Sequence, residues 1–141
     1  MKKKHLIVVA DYYHEVADGL VESALKLIPK SDTIKIIKVP GVFEIPVTIS
    51  KNIKKYDSFI ALGCVIKGET PHFDFICRST FNAILKLSTD FNKPISNGVI
   101  TALNMSQAVN RSTKSSFKKP NKGVEAANAI ISILKNVPKK I

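Results

Sequence analysis

Four apolar blocks punctuate this chain, at residues 6–10, 33–39, 59–66 and 95–101, and between them apolar residues recur every three or four positions. The blocks read as strands and the spaced stretches as helices. After the first block, Val16, Leu20, Ala24, Leu27 and Ile28 fall on one helical face that Pro29 ends. The second block, TIKIIKV, mostly alternates apolar residues with lysine, as a strand with a more exposed side does. Ile45, Ile49 and Ile53 stand four apart behind Pro40-Gly41, with Pro46 tolerable in a first helical turn. Beyond the fourth block, which Gly98 weakens, Asn104 can cap a short helix, and Val124, Ala127, Ile131 and Leu134 mark a last one.

The third block is the most informative. It lies within SFIALGCVIKGETPHFDF, residues 58–75, where an unbroken apolar run gives way to Lys67, Gly68, Glu69, Thr70, Pro71 and His72. Such a run reads as a strand buried on both faces, as in a parallel sheet. From Asp74 onward, Ile76, Cys77, Phe81, Ile84 and Leu85 take helical spacing. The order βαβαβαβαα implies a four-stranded parallel sheet with right-handed crossovers and helices on both faces. In such sheets ligands gather at the carboxyl ends of the strands. Four places should therefore converge: Tyr12 with Tyr13, residues 41–44, residues 67–72, and the neighbourhood of Asn97.

Composition narrows the class. The 141 residues fit one domain, 1–141, with 45% apolar and 23% charged content. No apolar run reaches the ~18 residues of a membrane helix. The apolar stretch after MKKKH ends too soon for a secretory leader, so a cytoplasmic protein is expected. Cys64 and Cys77 lack metal-ligand spacing and read as buried thiols. The net charge of +11 raises the question of a polyanionic partner. The basic residues are nearly all lysines scattered through helices and loops, with no nucleic-acid motif, so a solvated lysine-rich surface is the better reading. Against that background the two arginines, Arg78 and Arg111, stand out.

Taken alone, each candidate residue has an ordinary reading beside a chemical one. His72 is a surface or capping histidine, or a proton carrier at a strand end. Gly68 and Thr70 form a turn, or a cradle of N–H groups and a hydroxyl for phosphate. Arg111 is an exposed helix charge, or a planar bidentate donor for phosphate. Tyr12 reads as a packing aromatic and Phe43 as a core residue. Glu44 favours a helix N-terminus or receives a polar ligand.

The ordered strings VPGVFEIP at 39–46, GCVIKGETPHFDF at 63–75 and NKG at 121–123 closely resemble the lumazine synthase family. The resemblance runs over nearly the whole chain and implies a three-layer, flavodoxin-like α/β sandwich. It implies condensation of 5-amino-6-(ribitylamino)uracil with 3,4-dihydroxy-2-butanone 4-phosphate, without metal or redox cofactor. It assigns proton transfer to His72, and the uracil and ribityl groups to Tyr12, Val42, Phe43, Glu44, Cys64, Val65, Ile66 and Asn97. Asn97 stands where many relatives have phenylalanine, and an amide cannot stack as a phenyl ring does. Phosphate falls to Glu69, Thr70, Arg111 and Lys122, with Lys114 a further source of positive field.

The resemblance also implies a homopentamer whose active sites are shared between neighbouring subunits, with two small-molecule substrates and no nucleic-acid or membrane partner. The segment RSTKSSFKKPN at 111–121 is longer than the GTKAGNKG-like loop of shell-forming relatives, and free pentamers are the expectation. Two other classes fit less well. A flavin- or lumazine-holding paralogue without turnover sits poorly with His72, Thr70 and Arg111 together. A signalling receiver requires clustered carboxylates at strand ends, and the third strand ends in Cys64-Val65-Ile66-Lys67 instead.

Overall fold

Strand β3 (Ser58–Ile66) is buried from Ser58 to Cys64, and the rest of the molecule is arranged about it. The coordinates are those of a computed structural model, which describes residues 2–113, 121–136 and 138–140. β1 (Lys4–Ala10) and β4 (Ile95–Ala102) flank β3, and β2 (Thr33–Val39) pairs with β1 on the outside. All three pairings are parallel, in the order β2-β1-β3-β4. This is the four-stranded parallel sheet that the pattern predicts. The alternation in β2 reflects its place at the edge, where Ile36 is exposed.

Helices cover both faces, as a flavodoxin-like sandwich requires. On one face α1 (His14–Leu25) and α5 (Lys122–Lys135) press Val16, Leu20, Ala24, Ala127 and Ile130 onto Ile7, Val9, Ile60, Leu62 and Ile100. On the other, α2 (Ile45–Asn52) and α3 (His72–Phe91) bring Ile45, Ile49 and Ile84 against Leu6, Val8, Phe59, Ala61 and Val99. A short α4 (Met105–Asn110) follows β4, and the Asn104 side chain caps it by accepting the Gln107 N–H at 2.9 Å. Asn121 caps α5 in the same way, accepting from the Val124 N–H at 3.1 Å.

Three details differ from the reading of the sequence. The first helix ends at Leu25, four residues before Pro29, so Leu27 lies in a turn and is exposed while Ile28 is buried. In α3 the inward face is Cys77, Thr80 and Ile84, and Leu85, one residue round the helix from Ile84, is 64% exposed. In α5 the deepest residues are Ala126, Ala127 and Ile130, with Ile131 at the margin. Runs of adjacent apolar residues leave the inward face ambiguous by about 100° in a helix. Gly98 is better explained by contact than as a weak point. A Cβ there would meet Leu62 Cδ2 at 2.5 Å and both Ala126 Cβ and Ala61 O at 3.0 Å, so its absence lets α5 lie close on the sheet. Lys114 and most of the 111–121 segment lie outside the described residues. Among the described residues no helix is long and apolar enough to cross a membrane.

Candidate active site

Three of the four expected places do converge. A cavity of about 330 Å³ at the carboxyl end of the sheet is lined by Tyr12 and Tyr13 after β1, Gly41 to Phe43 after β2, and Cys64 to Ile66 at the end of β3; His72 and Ile76 of α3 complete it. β1, β2 and β3 hand the residues at or just after their ends to this space because parallel strands end on the same side. Gly41 precedes a single 3-10 turn, Val42–Glu44, which buries Val42 and leaves Phe43 64% exposed. That exposure makes Phe43 available to a ligand.

His72 is the first residue of α3 rather than part of the preceding loop. Its backbone N–H donates to Thr70 Oγ1 at 3.4 Å, so the threonine hydroxyl tethers the helix start while its own proton stays free to point outward. The imidazole is exposed, and Ile76, one turn along α3, presents an apolar surface beneath it. A helix residue four positions after His72 faces the same way, so Ile76 could have been found from spacing.

The aromatic pair is the other half of this cavity. Tyr12 is 71% exposed, and its ring meets that of Tyr13 edge-on, with centroids 4.9 Å apart and planes at 81°. Tyr13 is only partly exposed and packs on the core, so it braces the exposed ring at a fixed angle. Burial, helped by Cys64 and Tyr12, raises the Tyr13 phenol above its ordinary pKa. Burial and the nearby Cys77 push the Cys64 thiol up to about 11, so it stays protonated and lines the cavity as a small apolar group. Cys77 is likewise raised, by burial and then by Asp74.

The fourth place stands apart. Asn97 is paired in register with Ala61 in the first half of β4, not at its carboxyl end. It lines a separate cavity of about 250 Å³ with Phe81, Val99, Thr101, Arg111, Lys122 and Glu125. Its Oδ1 accepts the Val99 N–H at 3.1 Å, which leaves the amide NH₂ as a donor. Arg111 is the residue that ends α4 rather than one within it, and its Nη1 donates to the Thr101 carbonyl at 3.1 Å. Lys122 is the first residue of α5, and its backbone N–H donates to the Arg111 carbonyl at 2.8 Å. Two cations are thereby tied to one spot from either side of residues 114–120.

Glu44 lines neither cavity. It borders an apolar groove with Phe43, Pro46, Val47 and Thr80, behind the 3-10 turn. Glu69 and Thr70 are exposed on the loop between β3 and α3. Of the residues singled out from sequence, the structure thus gathers Tyr12, Val42, Phe43, Cys64, Val65, Ile66 and His72 in one place, and Asn97, Arg111 and Lys122 in another. Tyr13, Gly41 and Ile76 belong to the first set by position, and Thr101 and Glu125 to the second.

An apolar, aromatic cavity with an imidazole at its mouth suits a flat heterocycle undergoing proton transfers. A pair of cations on a second surface suits a phosphate. Comparison with known proteins agrees with that chemistry. Residues 2–137 match the family model described as 6,7-dimethyl-8-ribityllumazine synthase. A protein of that name from Campylobacter jejuni (strain 81-176) is 38% identical, the match covering 98% of this chain and 91% of the relative. One from Limosilactobacillus reuteri is 36% identical, covering 91% and 85%. One from Ruthia magnifica is 34% identical, covering 94% and 84%. With a parallel sheet that opens its carboxyl end to Tyr12, Phe43 and His72, and a match from residue 2 to residue 137, this chain belongs to the 6,7-dimethyl-8-ribityllumazine synthase family.

Proposed function

We propose that the chain condenses 5-amino-6-(D-ribitylamino)uracil with 3,4-dihydroxy-2-butanone 4-phosphate to give 6,7-dimethyl-8-ribityllumazine, phosphate and water, a step of riboflavin biosynthesis. The observation that carries the arrangement is the division of the candidate residues between two cavities that share no lining residue. A heterocycle site without cations and a cation site without an imidazole are each half of what this reaction requires. Two copies of the chain, placed so that Arg111, Lys122 and Asn97 of one face His72 and Thr70 of the next, make a whole site. Repeated around a ring, that contact closes as a homopentamer.

In the completed site the pyrimidine stacks on Tyr12, with Val42, Phe43 and the β3 end around its edges, and the ribityl chain runs past Phe43 into the adjoining groove, where Glu44 receives its hydroxyls. Backbone groups of Cys64, Val65 and Ile66 fix the ring laterally. The butanone phosphate lies with its anion between Arg111, Lys122 and the Glu69–Thr70 turn, and its ketone over the amine. The amine adds to the carbonyl and loses water to form an imine. Loss of the phosphate by C–O cleavage follows, and the ribitylamino nitrogen closes the second ring with loss of another water. His72 carries protons in these steps, since addition, dehydration and elimination each move one near neutral pH. Holding two reactants in contact supplies much of the acceleration. Two free, buried thiols suit a reducing, cytoplasmic setting.

Incubating the purified protein with both substrates and following the absorbance and fluorescence of the lumazine tests the reading. Product should appear at a rate proportional to enzyme and well above the spontaneous condensation. A rate equal to the spontaneous one, from folded and assembled protein, overturns it.

A further inference from the structure

The cation site holds an anion of its own. Lys122 Nζ lies 3.4 Å from Glu125 Oε2, one helical turn along α5, and both line the cavity that contains Arg111. The arginine is already oriented by its bond to the Thr101 carbonyl, and Lys122 is anchored by its backbone N–H to the Arg111 carbonyl. Neither anchor uses the Lys122 ammonium. Among the described residues that line this cavity, Glu125 is therefore the partner of the cation whose side chain can swing, and it lies in the space that a phosphate at Arg111 would approach.

We propose that Glu125 is an affinity-setting residue, an internal stand-in for phosphate that holds Lys122 until an anion displaces it. The inference rests on the phosphate role given above to Arg111 and Lys122. A phosphate dianion entering between Arg111 and Lys122 must take the ammonium from Glu125 and then tolerate a carboxylate beside it. Both effects weaken binding, and both weaken the inorganic phosphate left after elimination as much as the ester that arrives. The site therefore binds phosphate loosely by construction. A half-exposed ion pair of this kind is a modest competitor, since its side chains are 37% and 51% exposed. Its removal should change affinity by about threefold to tenfold rather than by orders of magnitude.

The test uses the full chain in its assembled state, with inorganic phosphate as the probe. Titration calorimetry gives the phosphate affinity of wild type, Glu125→Gln, Glu125→Asp and Arg111→Ala, and steady-state kinetics give inhibition by phosphate and the KM of the phosphorylated substrate. Glu125→Gln should tighten phosphate about threefold or more and lower the KM of the ester. Its KM for the pyrimidine should not move, a split that a merely structural role would not produce. Glu125→Asp, which keeps the charge, should stay nearer wild type than Glu125→Gln does. If Glu125→Gln binds phosphate no more tightly than wild type while Arg111→Ala abolishes binding, the stand-in role is wrong and the phosphate site stands. If Arg111→Ala binds phosphate as wild type does, the phosphate site itself is wrong, and the role of Glu125 falls with it.

Discussion

Nε2 of His5 lies 2.8 Å from Asp32 Oδ2, and Nδ1 of the same ring lies 2.6 Å from Ser58 Oγ. The chain Ser58–His5–Asp32 has the order of a hydrolytic triad, yet it joins the amino ends of β1 and β3 to the turn before β2, at the opposite end of the strands from the candidate site. His5 is 1% and Ser58 0% exposed, so the hydroxyl has no route to a substrate. With the serine donating to Nδ1 and Nε2–H donating to the carboxylate, all three polar groups are satisfied, and the arrangement clamps the sheet. His5→Ala should cost about 2 kcal/mol or more in urea denaturation, because Ser58 loses its partner and the carboxylate its main one.

The same clamp gives a dependence on pH. Hydrogen bonding from His5, assisted by the Lys3 backbone N–H, holds the Asp32 carboxyl below its ordinary 3.8, although burial opposes this. A lowered folded pKa means that the unfolded chain binds the proton first, so the contribution is complete above the unfolded value and disappears as pH falls through the folded one. The stability difference between wild type and Asp32→Asn should be steady near neutrality and narrow as pH falls below about 4. A gap that widens on acidification would contradict the assignment.

Gly98→Ala should destabilise the protein even though alanine suits a strand better than glycine. The propensity gain is under about 1 kcal/mol. The added methyl would lie 2.5 Å from Leu62 Cδ2, a side chain that is itself fully buried, and 3.0 Å from Ala126 Cβ. Overpacking of about 1–3 kcal/mol should win. Equilibrium unfolding decides the sign.

His72→Ala should slow turnover at saturating substrates by up to about a hundredfold without abolishing it, because the juxtaposition of the reactants survives the loss of one proton carrier. The imidazole at the mouth of the β3 end is the reason. A variant with the wild-type rate removes it from the mechanism.

Arg111→Ala should raise the KM of the phosphorylated substrate by about tenfold or more and leave that of the pyrimidine nearly unchanged. Arg111→Lys should restore only part, since an ammonium cannot keep both the Thr101 carbonyl bond and a forked contact to phosphate. Varying each substrate at a fixed concentration of the other separates the two constants.

If the two cavities meet across subunits, chains that are each impaired should complement one another. Co-refolded Arg111→Ala and His72→Ala chains should form some sites with the imidazole of the first and the guanidinium of the second. Activity above the mean of the two parents is expected. No gain in assemblies verified to be mixed would exclude a shared site.

Much of the fold was legible because its signals are local. Residues 59–66 have no polar interruption, and only a doubly covered strand tolerates that; β2 carries lysines, and edges do. What failed was azimuth. Ile130 and Ile131, like Ile84 and Leu85, are adjacent apolar pairs, and only packing chooses between them. The positions that line one cavity were legible where parallel topology brings strand ends together, hence Tyr12, Val42 and His72. Asn97 was misplaced because it is only the third residue of the block 95–101, so it lies in the first half of β4, short of the end where the other strands hand over to the site. The His5–Ser58–Asp32 clamp was missed altogether, since its members lie far apart in sequence and none belongs to a motif.

The bond from the Lys122 N–H to the Arg111 carbonyl fastens the chain on both sides of residues 114–120. For protein engineering this makes the segment a natural graft point. Its two ends are already pinned, and lengthening such a closed span is thermodynamically mild, about 0.6 kcal/mol for each doubling. A change in the length or composition of 114–120 therefore leaves the two anchors, Arg111 and Lys122, holding each other as before.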